Sequence, residues 1–253
     1  MFSFTSQQID LWLGTLFWPF VRILALISAA PVLSHRSIPA RAKIGLALAF
    51  TVILIPTLPA SPQISIASAA GLEILVQQMM IGLAIGFSIT LAFAAVQLAG
   101  DLIGTQMGLG FAWFVDPQSS TQGPMVGSLL SLFATLIFLA IDGHLMMLAA
   151  IAKSFAIAPI GSEINVAFDW RKLLNAGASV FSIGLHLALP ALAAVFLSNV
   201  ALGVLTRAAP QLNLFAVGFP ITLSLGLLIL WLSMPHYGPM LERALQNSLH
   251  MFF

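Results

Sequence analysis

The chain has no cysteine and very little charge, and these two absences limit what it can be. Without cysteine among its 253 residues, it can form no disulfide, thiolate nucleophile or thiol metal site. Only 7% of its residues are charged and 60% are hydrophobic, whereas soluble domains carry roughly 25% charged residues. Because a soluble chain needs a charged exterior, this composition predicts an integral membrane protein. The net charge of +1 provides no general attraction to nucleic acid.

Sequence motifs of membrane enzymes are also missing. The chain contains no H-E-x-x-H pair, no G-x-S-x-G nucleophile elbow and no glycine-rich phosphate loop. None of its histidines has the spacing of a metal site. We therefore expect a protein that is not an enzyme and that holds no metal or cofactor.

Long apolar regions account for most of the chain and predict an all-α membrane protein forming a single domain over residues 1–253. A membrane-spanning helix needs roughly 20 apolar residues, and helices satisfy their own backbone groups in lipid. Two or three regions are longer than one span requires, so they must kink or extend beyond the bilayer. The six predicted helical regions are residues 11–33, 44–58, 71–109, 125–157, 173–205 and 214–234, followed by a short amphipathic tail.

Basic residues in the loops do not favour either orientation. With six spans, four Lys or Arg residues fall on each side of the membrane. This balance indicates a topology other than a simple serpentine. One side would hold Arg36, Arg41, Lys43 and Arg207, and the other Lys153, Arg171, Lys172 and Arg243.

Several ionisable residues lie in or beside the apolar regions, where a charge is costly in lipid. No chain of carboxylates follows one helix face, so pairing between helices or subunits is favoured over a proton relay. Arg22, Glu73 and Asp101 are accordingly candidates for helix packing or assembly. Candidate buried charge pairs involve Asp142, His144 and Lys153.

Glycines at four-residue spacing form two stripes. Such a stripe lets another helix backbone approach closely. Packing within the subunit and assembly with other subunits both fit this pattern. The first stripe is Gly82 and Gly86, and the second is Gly100, Gly104 and Gly108.

The stretch GDLIGTQMGLGFAWFVDPQSSTQGPM, residues 100–125, is an unusual connection between apolar regions. Its first half is rich in glycine and aromatic residues, and polar turn residues begin only at Asp116-Pro117. Met107 lies among the glycines and close to three aromatic residues. Glycine gives backbone freedom and methionine adapts to irregular surfaces, so Met107 is a candidate for part of a deformable seal.

Two runs, RILALISAAPVLSHRSIPARAKIGLALAF and QLAGDLIGTQMGLGFAWFVDP, resemble the FliR family of flagellar export-gate proteins. Homologues of this family serve in type III secretion injectisomes. The resemblance covers nearly the whole chain in length and hydropathy, and the central segment is its most specific part. The matching features are Arg22, Ala30-Pro31, Pro39 with Arg41 and Lys43, and G-D-L-I-G-x-Q-M-G-x-G ending at Asp116-Pro117.

The resemblance implies a non-enzymatic subunit of the flagellar type III protein-export gate in the bacterial inner membrane. Its helical hairpins would join FliP-like and FliQ-like subunits in a cone-like assembly of the flagellar basal body, part of it toward the periplasm. An FlhB-like protein would dock there, and unfolded flagellar proteins would pass through the centre.

The resemblance further implies that residues 100–125 act as a plug-like loop in the closed pore. The alternatives are an injectisome export-gate subunit, or a small-solute transporter in which Asp142, His144 and Lys153 carry the coupling. The residues that the resemblance assigns to the plug are Gly104, Met107, Gly108, Gly110, Phe111, Trp113 and Phe114.

Overall fold

The computed structural model describes residues 6–59, 62, 64–110, 125–161, 170–209 and 214–250. Regular structure within this part of the chain is helical throughout, which confirms the predicted all-α membrane fold. A 3₁₀ turn, Ile55–Thr57, follows the second helix. The α-helices are α1 (Ser6–Ala29), α2 (Ala40–Leu54), α3 (Ala69–Gln106), α4 (Met125–Ala140), α5 (Gly143–Ile157), α6 (Trp170–Ala208) and α7 (Leu214–His250).

Four helical segments within the described residues are long and apolar enough to cross a membrane. They belong to α2 with its 3₁₀ turn, α3, α6 and α7. The pair α4 and α5 adds a fifth span when the two are counted together. The apolar part of α1, Gly14–Ala29, is shorter than a full span.

The third apolar region was predicted either to kink or to extend beyond the bilayer, and it forms the single helix α3. It is continuous over 38 residues and contains no proline, so no backbone N–H is missing from its hydrogen-bond ladder. At 1.5 Å per residue it is roughly 57 Å long, which exceeds the roughly 30 Å hydrocarbon core. The helix therefore extends rather than breaking at its glycines.

The fourth apolar region, predicted as one long run, is instead two helices separated at Ile141–Asp142. Asp142 adopts a left-handed backbone with φ of 56° and ψ of 33°. Aspartate tolerates this conformation better than most residues. Its carbonyl oxygen accepts hydrogen bonds from the backbone N–H of Leu145 and of Met146 at 2.8 and 3.1 Å, which starts α5.

Prolines lie inside the last two helices without ending them. Helix α6 contains Pro190, and α7 contains Pro220, Pro235 and Pro239. The predicted amphipathic tail is the last part of α7, which continues through Pro235 to His250. A proline removes one backbone hydrogen bond, and the remaining apolar length of α7 is enough to keep it continuous.

The chain divides into two compact units. Unit 1 comprises residues 1–91, 142–176 and 245–253, and unit 2 comprises residues 92–141 and 177–244. Each unit has its own apolar core, as burial of apolar surface requires. Large buried side chains of unit 1 include Trp18, Ile23, Leu26, Ile85, Ile89 and Phe155, and those of unit 2 include Ile103, Met107, Leu130, Phe138 and Val195.

Candidate functional site

A cavity of about 750 Å³ lies in unit 2, at the end of α3. The residues around it are all uncharged, and they combine hydroxyl and amide groups with apolar side chains and bare glycine backbone. Such a cavity offers weak polar contacts but no strong charge for a ligand to pair with. It is lined by Thr105, Gln106, Met107, Gly108, Asn199, Leu202, Gly203, Gly218, Phe219 and Thr222.

The end of α3 is fixed by a Schellman motif. The N–H of Leu109 donates to the carbonyl of Gly104 at 3.0 Å, and the N–H of Gly108 donates to that of Thr105 at 3.1 Å. Gly108 has a φ of +88°, the left-handed conformation that this motif requires and that glycine adopts without strain. The helix therefore ends just before Met107, whose side chain packs within unit 2.

The side chain of Met107 sits in a notch at Gly226 of α7. Met107 is fully buried, and a Cβ placed on Gly226 would lie only 2.6 Å from both its Cγ and its Sδ. Any side chain at residue 226 would therefore displace the thioether. We call this contact the Met107 seat.

Two further contacts from α7 surround the Met107 seat. The hydroxyl of Thr222 has one proton, which it shares between the carbonyl of Phe219 at 3.1 Å and that of Met107 at 3.4 Å. The Phe219 ring lies 3.4 Å from the position of a Cβ on Gly108. The seat thus depends on van der Waals contact and one long hydrogen bond, without any charged group.

The remaining predicted plug residues divide between the helix end and the chain beyond it. Gly104 is buried in α3, and Gly110 is half-buried in the turn that follows. The predicted residues Phe111, Trp113 and Phe114 lie outside the described residues, and their sealing role stays a prediction.

The second glycine stripe brings α3 close to α4 within unit 2. A Cβ on Gly100 would lie 2.6 Å from the Cα of Gly127 and 2.9 Å from its backbone nitrogen. A carboxylate oxygen of Asp101 occupies the space that a Cβ on Gly127 would need. This places a negative side chain beside the first turn of α4, where the helix dipole favours it.

The first glycine stripe brings α3 close to α1 within unit 1. A Cβ on Gly82 would overlap the carbonyl oxygen of Arg22. A Cβ on Gly86 would lie 2.8 Å from both the Cβ of Ala29 and the carbonyl oxygen of Leu26. These glycines make the close approach within the subunit that their spacing allows.

Arg22 is the centre of a buried polar network in unit 1. It is fully buried. Its Nε donates to Gln78 at 2.7 Å, its Nη1 to the hydroxyl of Ser154 at 3.1 Å, and its Nη2 to the carbonyl of Ala158 at 2.8 Å. The guanidinium carbon lies 4.0 Å from the centre of the Phe155 ring. One side chain of α1 therefore binds α3 and the end of α5.

The charge of Arg22 is compensated without a carboxylate partner among the described residues. Ala158 is the C-cap of α5, and the carbonyl end of a helix carries partial negative charge that favours a cation. The Phe155 ring adds a cation–π contact. Arg22 thus caps a helix other than its own, which explains how a buried arginine is accommodated in unit 1.

The other predicted ionisable residues differ in their exposure. Glu73, Asp142 and Lys153 are exposed in this chain, and His144 is half-buried. The Nδ1 atom of His144 is buried and has no hydrogen-bond partner among the described residues. Their pairing stays a prediction. In the same part of the chain, no group of three His, Asp or Glu residues is arranged to hold a metal ion.

Residues that the sequence analysis did not single out complete both sites. Gly226 lies in the run LSLGLLIL, where a lone glycine in an apolar helix was the only available signal. Gln78, Ser154 and Phe155, which surround Arg22, are separated from it by at least 56 positions. Helical periodicity alone cannot reveal such contacts.

Taken together, these features define an all-α membrane protein with helices packed through glycine stripes. The sequence model of the family described as "Bacterial export proteins, family 1" matches residues 13–248. The chain is 44% identical over 242 residues to the flagellar biosynthetic protein FliR of Escherichia coli (strain K12), covering 96% of this chain and 92% of that protein.

Two further relatives support the same assignment. The chain is 46% identical over 242 residues to the flagellar biosynthetic protein FliR of Pectobacterium carotovorum subsp. carotovorum, with 96% and 92% of the two chains covered. Its identity to the protein of that name in Bacillus subtilis (strain 168) is 33% over 218 residues, covering 83% and 82%. The chain therefore belongs to the FliR family of bacterial export proteins.

Proposed function

We propose that this chain is a non-enzymatic subunit of the flagellar protein-export gate in the bacterial inner membrane. The observation that carries this proposal is the similarity, over almost the full length, to proteins named flagellar biosynthetic protein FliR. Four or five segments suited to membrane spans support a multi-pass placement. An injectisome role is the alternative within the same family.

The gate would be an assembly of several proteins. The chain would join FliP-like and FliQ-like membrane subunits and an FlhB-like protein in the flagellar basal body, with part of the assembly toward the periplasm. Unfolded flagellar proteins would be the substrates. The uncharged lining of the unit 2 cavity supports this role, because a conducting site must bind passing groups weakly enough to release them.

Within the gate, residues 100–125 would close the pore when no substrate is present. The described part of this segment supports a closing role through the Met107 seat, in which a flexible thioether fills a glycine notch. Such a contact excludes water and ions but contains no strong bond that a passing chain would have to break. The closing contribution of residues 111–114 rests on the family resemblance.

Complementation tests the subunit assignment. The chain is expressed in an Escherichia coli strain that lacks its own FliR, and swimming and the amount of flagellar protein in the medium are measured. We expect export to be restored. Membrane insertion and co-purification with the FliP-like and FliQ-like subunits, but without any export, would contradict the assignment.

Ion leak tests the closing role. Met107→Ala is introduced into the assembled gate, and the entry of ions into cells is followed in the absence of exported substrate. We expect a leak, because removing the thioether leaves the notch at Gly226 unfilled. Met79→Ala is the matched control, since Met79 is an exposed methionine of the same helix. If an assembled Met107→Ala gate leaks no more than the unaltered gate, the plug assignment is wrong.

A further inference from the structure

Helix α2 is the least covered helix of unit 1. Only Ala47 and Thr51 are buried among its 15 residues. Four of its large apolar side chains are exposed, and the most exposed of them is Ile53 at 67%. This surface is separate from the cavity and from the Arg22 network described above.

One row of side chains on α2 combines a cation with apolar groups. Arg41, Ile44, Leu48 and Val52 follow one another at intervals of three, four and four residues, so they lie along one face of the helix. All four are exposed. At 1.5 Å per residue the row is roughly 16 Å long, close to half of the roughly 30 Å hydrocarbon thickness of a bilayer. The row has the length of one lipid leaflet.

Positive charge is concentrated at the first end of α2. The segment HRSIPARAK contains Arg36, Arg41 and Lys43, and no acidic residue occurs between residues 11 and 72. The side chains of Arg36 and Arg41 are exposed, and neither makes a hydrogen bond or ion pair with another described residue. Lys43 differs from them, because its Nζ donates to the carbonyl of Ser34 at 2.8 Å.

The dipole of α2 does not favour basic residues at this end of the helix. The amino end of a helix carries partial positive charge, so basic residues in the first turn are unfavourable. Helix α2 has Arg41 and Lys43 near this end and no acidic residue in its first turn. No described residue supplies a negative partner for Arg36 or Arg41, so both cations are available to bind an anion from outside the described chain.

The loop that holds these cations is preorganised by its own hydrogen bonds. The N–H of Ser34 donates to the carbonyl of Ala30 at 2.9 Å, and the N–H of Ile38 donates to that of His35 at 3.1 Å. The bond from Lys43 to Ser34 joins this loop to the start of α2. The two unpaired guanidinium groups are thus presented from an ordered segment.

We propose that this surface binds an anionic phospholipid. Arg36 and Arg41 contact the phosphate headgroup, while Ile44, Leu48 and Val52 contact the acyl chains along the same face of α2. Basic residues at the end of an apolar helix attract anionic lipid, and the leaflet-length apolar row favours a lipid over an acidic protein or free phosphate.

Native mass spectrometry of the purified full-length chain tests this proposal. Equal amounts of phosphatidylglycerol and phosphatidylcholine are added, and the number of molecules of each that stay bound is counted. We expect a preference for phosphatidylglycerol, reduced about fivefold for each arginine removed in Arg36→Gln/Arg41→Gln. Arg36→Lys/Arg41→Lys should keep most of the preference, because the charge remains.

Matched controls separate this surface from general electrostatic attraction. Arg207→Gln/Arg243→Gln removes the same charge from exposed positions elsewhere and should leave the preference unchanged. Millimolar inorganic phosphate should not displace the lipid. If Arg36→Gln/Arg41→Gln does not fold, raising the salt to about 0.5 M should abolish the preference of the unaltered chain through screening.

Three results would overturn the proposal. One is equal retention of the two lipids by the unaltered chain. Another is an equal loss of preference in the Arg207→Gln/Arg243→Gln control. The third is an unchanged lipid preference in Arg36→Gln/Arg41→Gln together with lost binding of an acidic partner protein, which would make this surface a protein-binding site.

Discussion

Helix α3 makes two joints of opposite character, one in each unit. In unit 1, Gly82 packs directly on the backbone of α1, and Gln78 accepts a hydrogen bond from the buried Arg22. In unit 2, Met107 fills a notch at Gly226 and is held by one long hydrogen bond from Thr222. The first joint is a polar network with backbone contact, and the second is an apolar side chain in a groove.

The contacts in unit 1 are costly to break, whereas the contact in unit 2 can be released more easily. Leaving the Arg22 network would strand a buried charge and several polar groups, and each unsatisfied group costs on the order of 1–3 kcal/mol. Lifting Met107 from Gly226 costs apolar contact and at most one long hydrogen bond, and methionine repacks easily. The proposed gate function requires both kinds of joint, because a gate subunit must stay assembled while its closing contact moves.

Arg22→Met should give the largest loss of stability. It removes three hydrogen bonds and the cation–π contact and leaves Gln78, Ser154 and the carbonyl of Ala158 without this donor. We expect the folded protein to lose about 3 kcal/mol or more, measured from thermal unfolding in detergent. Arg22→Lys should recover only part of this, because lysine cannot reach three partners in a fork. Equal stability of Arg22→Met and the unaltered chain would refute the role of the network.

Gly82→Ala should follow, with a loss of about 2 kcal/mol. Its Cβ would overlap the carbonyl oxygen of Arg22 and lie 2.8 Å from the Cβ of Ala25. Backbone atoms cannot move aside as the end of a side chain can, so α1 and α3 must separate. Gly45→Ala is the control, because nothing lies within 4 Å of its Cβ. It should be neutral or stabilising through helix propensity, and a matching loss would contradict the close-packing explanation.

Gly226→Ala should destabilise less, by about 1 kcal/mol, yet alter the function more. The new Cβ meets the flexible Met107 thioether, which can shift. We expect an ion leak from the assembled gate, since the Met107 seat no longer closes. Gly203→Ala should not leak, because Gly203 lines the cavity next to Met107 and nothing lies within 4 Å of its Cβ. If both variants behave alike, the seat is not the closing contact.

Thr222→Val should have the smallest effect. It keeps the shape of the side chain but removes the 3.4 Å hydrogen bond to the carbonyl of Met107, together with the 3.1 Å contact to the carbonyl of Phe219 within α7. A bond this long contributes about 0.5 kcal/mol, so we expect a small fall in the unfolding temperature and little leak. A loss as large as that of Arg22→Met would show that the unit 2 joint is also polar, and the contrast would disappear.

The fold class and most of the helical regions were predictable because the length of an apolar run is a local property of the sequence. Gly82 and Gly100 were identifiable as close-packing positions from their spacing alone. The break at Asp142 was missed, since an apolar run of the right length does not reveal one left-handed residue. Continuation of α7 through Pro235 was missed because proline usually argues for an end.

The sequence allowed one residue of each site to be predicted, but not the residues that contact it. Arg22 and Met107 were visible as an unusual charge and an unusual loop residue. Their partners were not, since Gly226 lies 119 positions after Met107 and Ser154 lies 132 after Arg22. Contacts between distant segments depend on tertiary packing, which composition and periodicity do not encode.

A reversible disulfide at the Met107 seat tests whether this contact must open during export. The chain has no cysteine of its own, so Met107→Cys/Gly226→Cys introduces a single pair. A Cβ on Gly226 would lie 2.6 Å from the Cγ of Met107, which puts the two Cβ atoms no more than about 4 Å apart, within disulfide range. The two single variants serve as controls.

Export of flagellar protein by cells carrying this pair is measured before and after oxidation, and again after reduction. The joint must open for a substrate to pass, so we predict that export stops when the disulfide forms and resumes when it is reduced, while the single variants export throughout. Undiminished export with the disulfide fully formed would show that the seat stays closed during transport. That result would contradict a role for the Met107 seat in closing the pore.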